Sequence, residues 1–260
     1  MSIFFSIVLP VYKEEKNILI KCIESIKSQT FINFELIIII DNPNFQHFDL
    51  IDIYANDFFN CKIISNEENL GVTKSLNIGI KAAKGLYIVR QDADDYSLKD
   101  RLFNAYNILN LNKEVLIYTT PAIANGKLKP NFIVRKYFVQ EILKFKNVLF
   151  HGALIIKRDL ILENPYNEEY RFSQDYELYN RLIKKGYKIF YDNNNITYLS
   201  TPSINSISNK NFKEQTILFN QIVDSNGYMW TRSRWVKFLR LDLLIVLYKI
   251  CNQKLLKINK

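Results

Sequence analysis

The chain has 260 residues, 48% of them hydrophobic, and carries a net charge of +9 with a pI near 9.2. That composition supports a packed core and excludes a disordered chain, and the length suits one large domain or two small ones. Three widely spaced cysteines (Cys22, Cys61, Cys251) exclude a disulfide framework and point to a reducing compartment, and two distant histidines (His47, His151) exclude a zinc site of the usual kind.

Residues 3–9 form a nearly continuous apolar run closed by Pro10, the pattern of a buried parallel strand. No basic region precedes it, so it reads as a first strand and not as a signal peptide. No stretch reaches bilayer-spanning length, and the expected location is the cytoplasm or the inner face of the cytoplasmic membrane. Leu19, Cys22, Ile23 and Ile26 recur at helical spacing and predict a helix over 17–29. Residues 35–40 predict a second buried strand, ending at Asp41 and turned by Asn42-Pro43. A short strand at 62–65, a helix over 73–83 stopped by Gly85, and a strand at 86–91 complete the first half. Strand–helix alternation of this kind predicts an α/β fold, a mostly parallel sheet with right-handed crossovers and helices on its faces.

The second half is less regular. It predicts a helix over 98–109, a strand at 115–119, a polar loop at 125–131, a strand at 153–156, a helix over 174–184 stopped by Gly186, a strand at 187–191 and a turn at 192–195. No internal repeat or linker separates the halves, which implies one two-part globule.

The strongest chemical signal is Asp92-Ala93-Asp94-Asp95, directly after the strand at 86–91. Three carboxylates in four positions either share a hard divalent cation, whose remaining ligands are phosphate oxygens and water, or form an exposed turn that caps the next helix. In open α/β sheets, ligands bind beyond the carboxyl ends of the strands, where Pro10-Val11-Tyr12, Asp41 and the acidic cluster all fall. No glycine-rich phosphate loop is present, which argues against a dinucleotide-binding dehydrogenase or a P-loop NTPase and leaves diphosphate neutralisation to a metal. Asp41 either accepts from an imide N–H, as uracil presents, or serves the turn before Asn42-Pro43. Tyr12 either stacks on a base or sugar or is an ordinary packed aromatic.

Four segments then occur in a telling order: Ser6-Ile7-Val8-Leu9-Pro10-Val11-Tyr12, Phe34-Glu35-Leu36 leading to Asp41, Asn69-Leu70-Gly71 leading to Asn77-Ile78-Gly79, and Gly85-Leu86-Tyr87-Ile88 leading to Asp92-Ala93-Asp94-Asp95. Together they resemble the donor half of the family 2 glycosyltransferases, over residues 3–200. The resemblance implies the GT-A fold, a Rossmann-like sheet flanked by helices, with residues 1–110 as the nucleotide-sugar donor half and 111–227 as the acceptor half. It implies that Pro10, Val11, Tyr12 and Asp41 hold the nucleotide. Asp92-Ala93-Asp94 matches the family's Asp-x-Asp motif, which implies Asp92 near the ribose and Asp94 as the direct metal ligand, with Asp92 also counted at the metal, Mg²⁺ or Mn²⁺, and Ala93 with the nucleotide. Lys74 falls either beside the donor or on a solvated helix face, and Asp95 is expected to start the next helix.

Gln174-Asp175-Tyr176-Glu177-Leu178 resembles the family's Glu-Asp segment with Gln in place of Glu, so the resemblance makes Asp175 the catalytic base and puts Gln174 on the acceptor side. His151-Gly152 resembles the acceptor-side loop, where His151 either touches the acceptor or is a satisfied buried histidine. A histidine that the family often carries late in the domain is missing from Tyr198-Leu199-Ser200-Thr201-Pro202, which leaves a third protein ligand to the metal open.

The implied reaction is inverting transfer of one sugar from a nucleoside diphosphate donor, a UDP-sugar, to a hydroxyl of a lipid-linked or cell-surface glycan such as lipopolysaccharide, O-antigen or capsule. The rivals are a sugar nucleotidyltransferase, which normally has a Gly-rich basic loop after its first strand, and a non-catalytic sugar-binding protein of the same fold. No nucleic-acid motif appears. Residues 228–260 form a basic, aromatic-flanked tail, helical by expectation, that either meets an anionic membrane surface through 230–260 or packs on the globule. Thr231-Arg232-Ser233-Arg234-Trp235 lacks the Gln of the processive members' motif, favouring single addition.

Overall fold

The computed structural model describes residues 2–124, 126–129, 139–144, 146–201 and 212–225. The basic tail and its expected membrane contact lie outside the described residues.

Strand β1 (Phe5–Val11) pairs in parallel with β2 (Phe34–Ile40) from Phe5↔Phe34 to Val11↔Ile40. On its other side β1 meets β4 (Tyr87–Arg90), and β2 meets β3 (Cys61–Ser65), both in parallel. Alternation of side chains divides the apolar runs between two cores. Phe5, Ile7, Leu9, Leu36, Ile38, Tyr87 and Val89 face α1 (Lys16–Lys27) and α4 (Arg101–Leu111). Val8, Ile37, Ile39 and Ile88 face α3 (Val72–Ala82) and helices from the second half of the chain. Each fully buried aliphatic or phenylalanine side chain contributes about 1.5–3 kcal/mol, so these strands could not slip register without exposing a whole face.

Strand β1 runs past the predicted stop, through Pro10 to Val11. Pro10 is tolerated because β4 pairs only with Phe5–Val8, so the missing N–H removes no bond to that neighbour. Helix α2 (Phe48–Ala55) had no sequence counterpart, and the reason is local: Ile51 is its one fully buried residue, too little to print an apolar stripe.

The sheet continues into the second half of the chain. Strand β9 (Ile155–Lys157) is antiparallel to both β4 and β6 (Ile117–Thr119), and β10 (Ile189–Tyr191) is parallel to β6, giving the order β10-β6-β9-β4-β1-β2-β3. A second sheet has the order β5-β11-β7-β8, from β5 (Tyr96–Ser97), β7 (Ala122–Ala124), β8 (Lys127–Lys129) and β11 (Tyr198–Ser200). Two expectations are corrected here. The polar stretch expected as a loop carries β8, paired antiparallel to β7 across a turn where Gly126 has φ 66°. Residues 151–153 form a 3₁₀ turn, and the strand expected at 153–156 begins at Ile155. The remaining described helices are α5 (Val139–Leu143), α6 (Arg158–Glu163), α7 (Gln174–Lys184) and α8 (Phe212–Ser225). Among the described residues no helix is long and apolar enough to cross a membrane.

Candidate active site

The carboxyl ends of β1, β2 and β4 deliver Tyr12, Asp41 and Asp92 to one edge of the sheet. Asp41 is 4% exposed, and its carboxylate accepts from Asn66 Nδ2, Leu70 N and Gly71 N, each at 2.8 Å. These partners lie outside the turn before Pro43. Asp41 bolts the end of β2 to the Asn69-Leu70-Gly71 loop that starts α3, with charge-assisted bonds stronger than neutral ones. Gly71 holds φ 83°, in the region that favours glycine.

Tyr12 and Pro10 are half-buried, and Asn42 Nδ2 donates to Tyr12 O at 2.9 Å. Val11 turns its side chain into the core and its carbonyl accepts Asp41 N at 2.8 Å. Lys74 stands exposed on α3 with no hydrogen bond that ties it to these loops among the described residues.

The acidic loop alternates: Asp92 and Asp94 are partly exposed, Ala93 and Asp95 buried. Burial, reinforced by the Asp92 charge, pushes the Asp94 carboxyl up to about 6. Asp95 is also raised, by burial and then by its two acidic neighbours, while it accepts Thr201 N at 2.8 Å. Thr201 Oγ1 donates to Asp94 O at 2.7 Å, so the segment lacking the family's histidine still closes over the acidic loop through its backbone and a hydroxyl. Asp95 therefore joins this loop to the 198–201 segment instead of starting a helix; α4 begins at Arg101, after Asp100.

Crowded carboxylates held above their ordinary pKa suit a hard divalent cation, which would relieve their repulsion. Among the described residues no group of three or more His, Cys, Asp or Glu side chains forms a closed metal cage. The donor set thus fits an ion held by one or two carboxylates with diphosphate and water completing the shell, as Mg²⁺ prefers. Glu14, on the loop after β1, accepts Tyr12 N at 2.8 Å and adds its charge to those acting on Asp94.

Two buried arginines lie under this loop. Arg90 ends β4 at 3% exposure and donates to Gln91 O and to Asp92 Oδ1. Arg101, 1% exposed, donates from Nη1 to Gln91 Oε1 and Ser97 Oγ (2.9 Å each) and from Nη2 to Arg90 O (2.8 Å) and Gly152 O (2.7 Å). Its guanidinium also stacks over the Tyr198 ring, 5.0 Å from the centroid. Tyr198 Oη in turn accepts Asp92 N at 3.1 Å. Gly152 packs so closely on Tyr198 that a Cβ there would lie 2.0 Å from Oη. The acidic loop and the His151–Ala153 turn are thereby stitched into one body.

The region expected to face the acceptor is built on α7. Ser173 precedes it in the left-handed region (φ 57°), a conformation costing an L-residue about 1–2 kcal/mol, and delivers Gln174 and Asp175 half-buried at the helix N-terminus. Asn147 Nδ2 donates to Asp175 Oδ2 at 2.7 Å. Burial raises the Asp175 pKa; hydrogen bonds from Tyr176 N and Asn147 partly offset this, and the Asp92 charge adds to the rise. His151 Nε2 pairs with Tyr166 Oη at 2.7 Å, and burial followed by the Arg90 charge holds the imidazole well below its ordinary pKa, hence neutral. Tyr166 is fixed by a reciprocal pair with α3: its N–H donates to Asn77 Oδ1 at 3.1 Å and its carbonyl accepts Asn77 Nδ2 at 2.9 Å.

Sequence reasoning reached the carboxylates but missed Arg90, Arg101, Tyr166, Tyr198 and Asn147. Arg90 left a readable trace, a charge closing an apolar run. Arg101 left none, because an arginine opening a helix looks like surface until the fold buries it.

Residues 6–156 match the model of glycosyl transferase family 2. An uncharacterised glycosyltransferase of Methanocaldococcus jannaschii is 32% identical over 190 residues, covering 70% of this chain and 66% of that protein. WfgD of Escherichia coli, a UDP-Glc:α-D-GlcNAc-diphosphoundecaprenol β-1,3-glucosyltransferase, is 26% identical over 224 residues, covering 80% of this chain and 81% of its own length. In fold, the chain is similar to S. aureus TarS 1–349 in complex with UDP, with a TM-score of 0.69 at 19% identity over 86% of this chain and 65% of that one. The chain therefore spans about two thirds of the length of the M. jannaschii relative and of that TarS chain. With the GT-A sheet, its acidic loop and a family match over more than half its length, the chain belongs to glycosyl transferase family 2 and is a glycosyltransferase.

Proposed function

We propose that this enzyme transfers one sugar, with inversion, from a UDP-sugar to a hydroxyl of a lipid-linked or cell-surface glycan, as in lipopolysaccharide, O-antigen or capsule assembly. The observation that carries the reading is the acidic loop Asp92–Asp95 at the carboxyl end of β4, tied through Tyr198 and Arg101 to the His151–Ala153 turn. The UDP bound to TarS and the lipid-diphosphate acceptor in the WfgD name support the donor and acceptor classes.

In this reading Pro10, Val11, Tyr12 and Asp41 line the nucleoside, with Asp41 acting chiefly by shaping the Leu70-Gly71 loop. Asp92 and Ala93 lie on the nucleotide side of the diphosphate, and Lys74 reaches it from α3. Asp94, assisted by Asp92, would hold Mg²⁺ or Mn²⁺, which when bound would offset charge on the departing diphosphate. Asp175 accepts the acceptor's hydroxyl proton while the oxygen forms its bond to the anomeric carbon, and the diphosphate leaves with the broken bond's electron pair. Burial raises the Asp175 pKa above the ordinary carboxylate value, which makes it a stronger proton acceptor when ionised. Gln174 and His151 meet the acceptor, His151 as a neutral ring steadied by Tyr166. The enzyme would work in the cytoplasm at the inner membrane face, with 230–260 touching anionic lipid.

The test is a panel of UDP-, dTDP- and GDP-sugars scored for nucleoside diphosphate release with and without Mn²⁺. UDP release that depends on Mn²⁺ is expected; equal release from all donors, or none from UDP-sugars, would overturn the assignment. Loss of liposome binding on truncation after Gly227 checks the tail, and unchanged binding removes its role.

A further inference from the structure

We propose that Arg90 is a positioning residue that holds Asp92 Oδ1 in an ion pair and so leaves Asp94 as the principal carboxylate for the divalent cation, with Asp92 in the assisting place given it above. The inference rests on the metal-dependent reading above and explains how two carboxylates in one loop come to differ.

Arg90 occupies a place where charge is expensive. It follows Tyr87, Ile88 and Val89 in β4, is 3% exposed, and its Nε has no hydrogen-bond partner among the described residues. Such a cation persists only when paired, and a well-packed apolar residue would ordinarily serve stability as well or better. Its partner is Asp92 Oδ1, the one ion pair among the described residues that involves the acidic loop. Arg101, the other buried cation beneath this loop, spends its guanidinium on neutral acceptors and offers the carboxylates no ion pair. Asp92, although its side chain is 32% exposed, is therefore paired from below with a buried cation supplied two residues earlier. Asp94 has no cationic side chain bonded to it and stays partly exposed.

The arrangement has a second consequence. A loop carrying three carboxylates repels a diphosphate as strongly as it attracts a cation. Arg90 cancels one of those charges from below, so the loop can admit the metal-bound diphosphate without surrendering Asp94.

The experiment is Mn²⁺ binding to the full chain without nucleotide, read as free Mn²⁺ by electron paramagnetic resonance, with UDP binding followed by calorimetry. Arg90→Met removes one positive charge and releases Asp92, so Mn²⁺ should bind roughly five- to ten-fold tighter while UDP binding in EDTA weakens. Arg90→Lys should stay within about two-fold of wild type for Mn²⁺. The double variant Arg90→Met/Asp92→Asn removes both members of the pair and should return Mn²⁺ affinity to within about two-fold of wild type, a coupling that a purely structural arginine would not produce. Arg90→Met leaves Asp92 without its partner and should lower the melting temperature, and removing both charges in the double variant should recover part of that loss. Unchanged or weaker Mn²⁺ binding in a folded Arg90→Met overturns the proposal, as does a double variant that behaves like Arg90→Met alone. Arg90→Gln carries the same expectation, and failure of both uncharged variants to fold would make Arg90 a structural residue and likewise overturn it. A wild-type chain that releases UDP without binding Mn²⁺ would instead strike the metal reading itself, so the two failures are told apart.

Discussion

The edges proposed for donor and acceptor are built to different tolerances. On the donor side Asp41 is 4% exposed and held by three donors at 2.8 Å, on parallel strands whose side chains are almost all buried. On the acceptor side Asp175 receives one side-chain bond, from Asn147, and follows a serine in the left-handed region. The donor half is therefore preorganised by saturated hydrogen bonding, whereas the acceptor half places its carboxylate by a strained turn and a helix end. A nucleotide is a constant shape that a rigid cradle can match. An acceptor glycan varies more from enzyme to enzyme, and short strands with a helix terminus can be re-aimed without disturbing the sheet.

The contrast can be broken most sharply at its two ends. Asp175→Asn should lower kcat by about 10²–10⁴-fold, the usual range for losing a general base, while leaving the donor KM within a few-fold. A steady-state comparison with a competent acceptor checks it, and normal turnover would sink the assigned role. Asp94→Ala should lower Mn²⁺-dependent turnover by at least about 10²-fold and weaken Mn²⁺ binding in parallel, so the same two measurements separate the edges: one variant loses chemistry, the other loses metal.

The stitch between the edges comes next in size. Gly152→Ala would put a methyl 2.0 Å from Tyr198 Oη, which also accepts Asp92 N. Relieving that clash should cost about 1–3 kcal/mol of stability, read by urea denaturation. If the 3₁₀ turn and the acidic loop are one body, donor KM should rise as well, although residue 152 lies on the acceptor side.

The unequal legibility of these regions has a physical basis. The donor half was readable because parallel strands covered on both faces print continuous apolar runs, and because Asp41 and Asp92–Asp95 stand directly at their ends. The site's scaffold was far less readable. Arg101 draws its meaning from Gln91, Ser97 and Gly152, contacts separated by up to 51 residues, which no local window contains. The β7–β8 hairpin failed for the opposite reason: Lys127–Lys129 shows an exposed, intermediate, exposed pattern, so nothing apolar announced a strand. Asp175 itself looked like any residue in a helix's first turn, and family resemblance singled it out.

The pH dependence of stability should sharpen the donor side further. Asp94, raised to about 6 by burial and Asp92, and Asp95, raised for the same reasons, bind protons more tightly folded than unfolded. Their contribution therefore favours the folded state as pH falls from above 7 towards 4 and opposes it as pH rises. In metal-free buffer, Asp94→Asn should flatten this part of the melting-temperature profile. Saturating Mn²⁺ should raise the wild-type melting temperature at pH 8 more than at pH 5, because protons and the cation compete for the same carboxylate. Equal Mn²⁺ stabilisation at both pH values would place the ion away from Asp94.

The smallest expected effect tests the acceptor side's strained turn. Ser173→Gly supplies a residue that adopts φ 57° without steric cost, so it removes up to about 1–2 kcal/mol of strain, while the glycine's greater unfolded-state freedom takes back about 0.5–1 kcal/mol. The net should be a stabilisation of at most about 1.5 kcal/mol, measured by denaturant titration. Because glycine keeps the left-handed turn available, Asp175 stays at the helix start and kcat should remain within about two-fold. A clear loss of kcat at undiminished stability would mean that the serine side chain, and not merely the turn, holds the base in place, and the acceptor edge would then be as tightly specified as the donor edge opposite it.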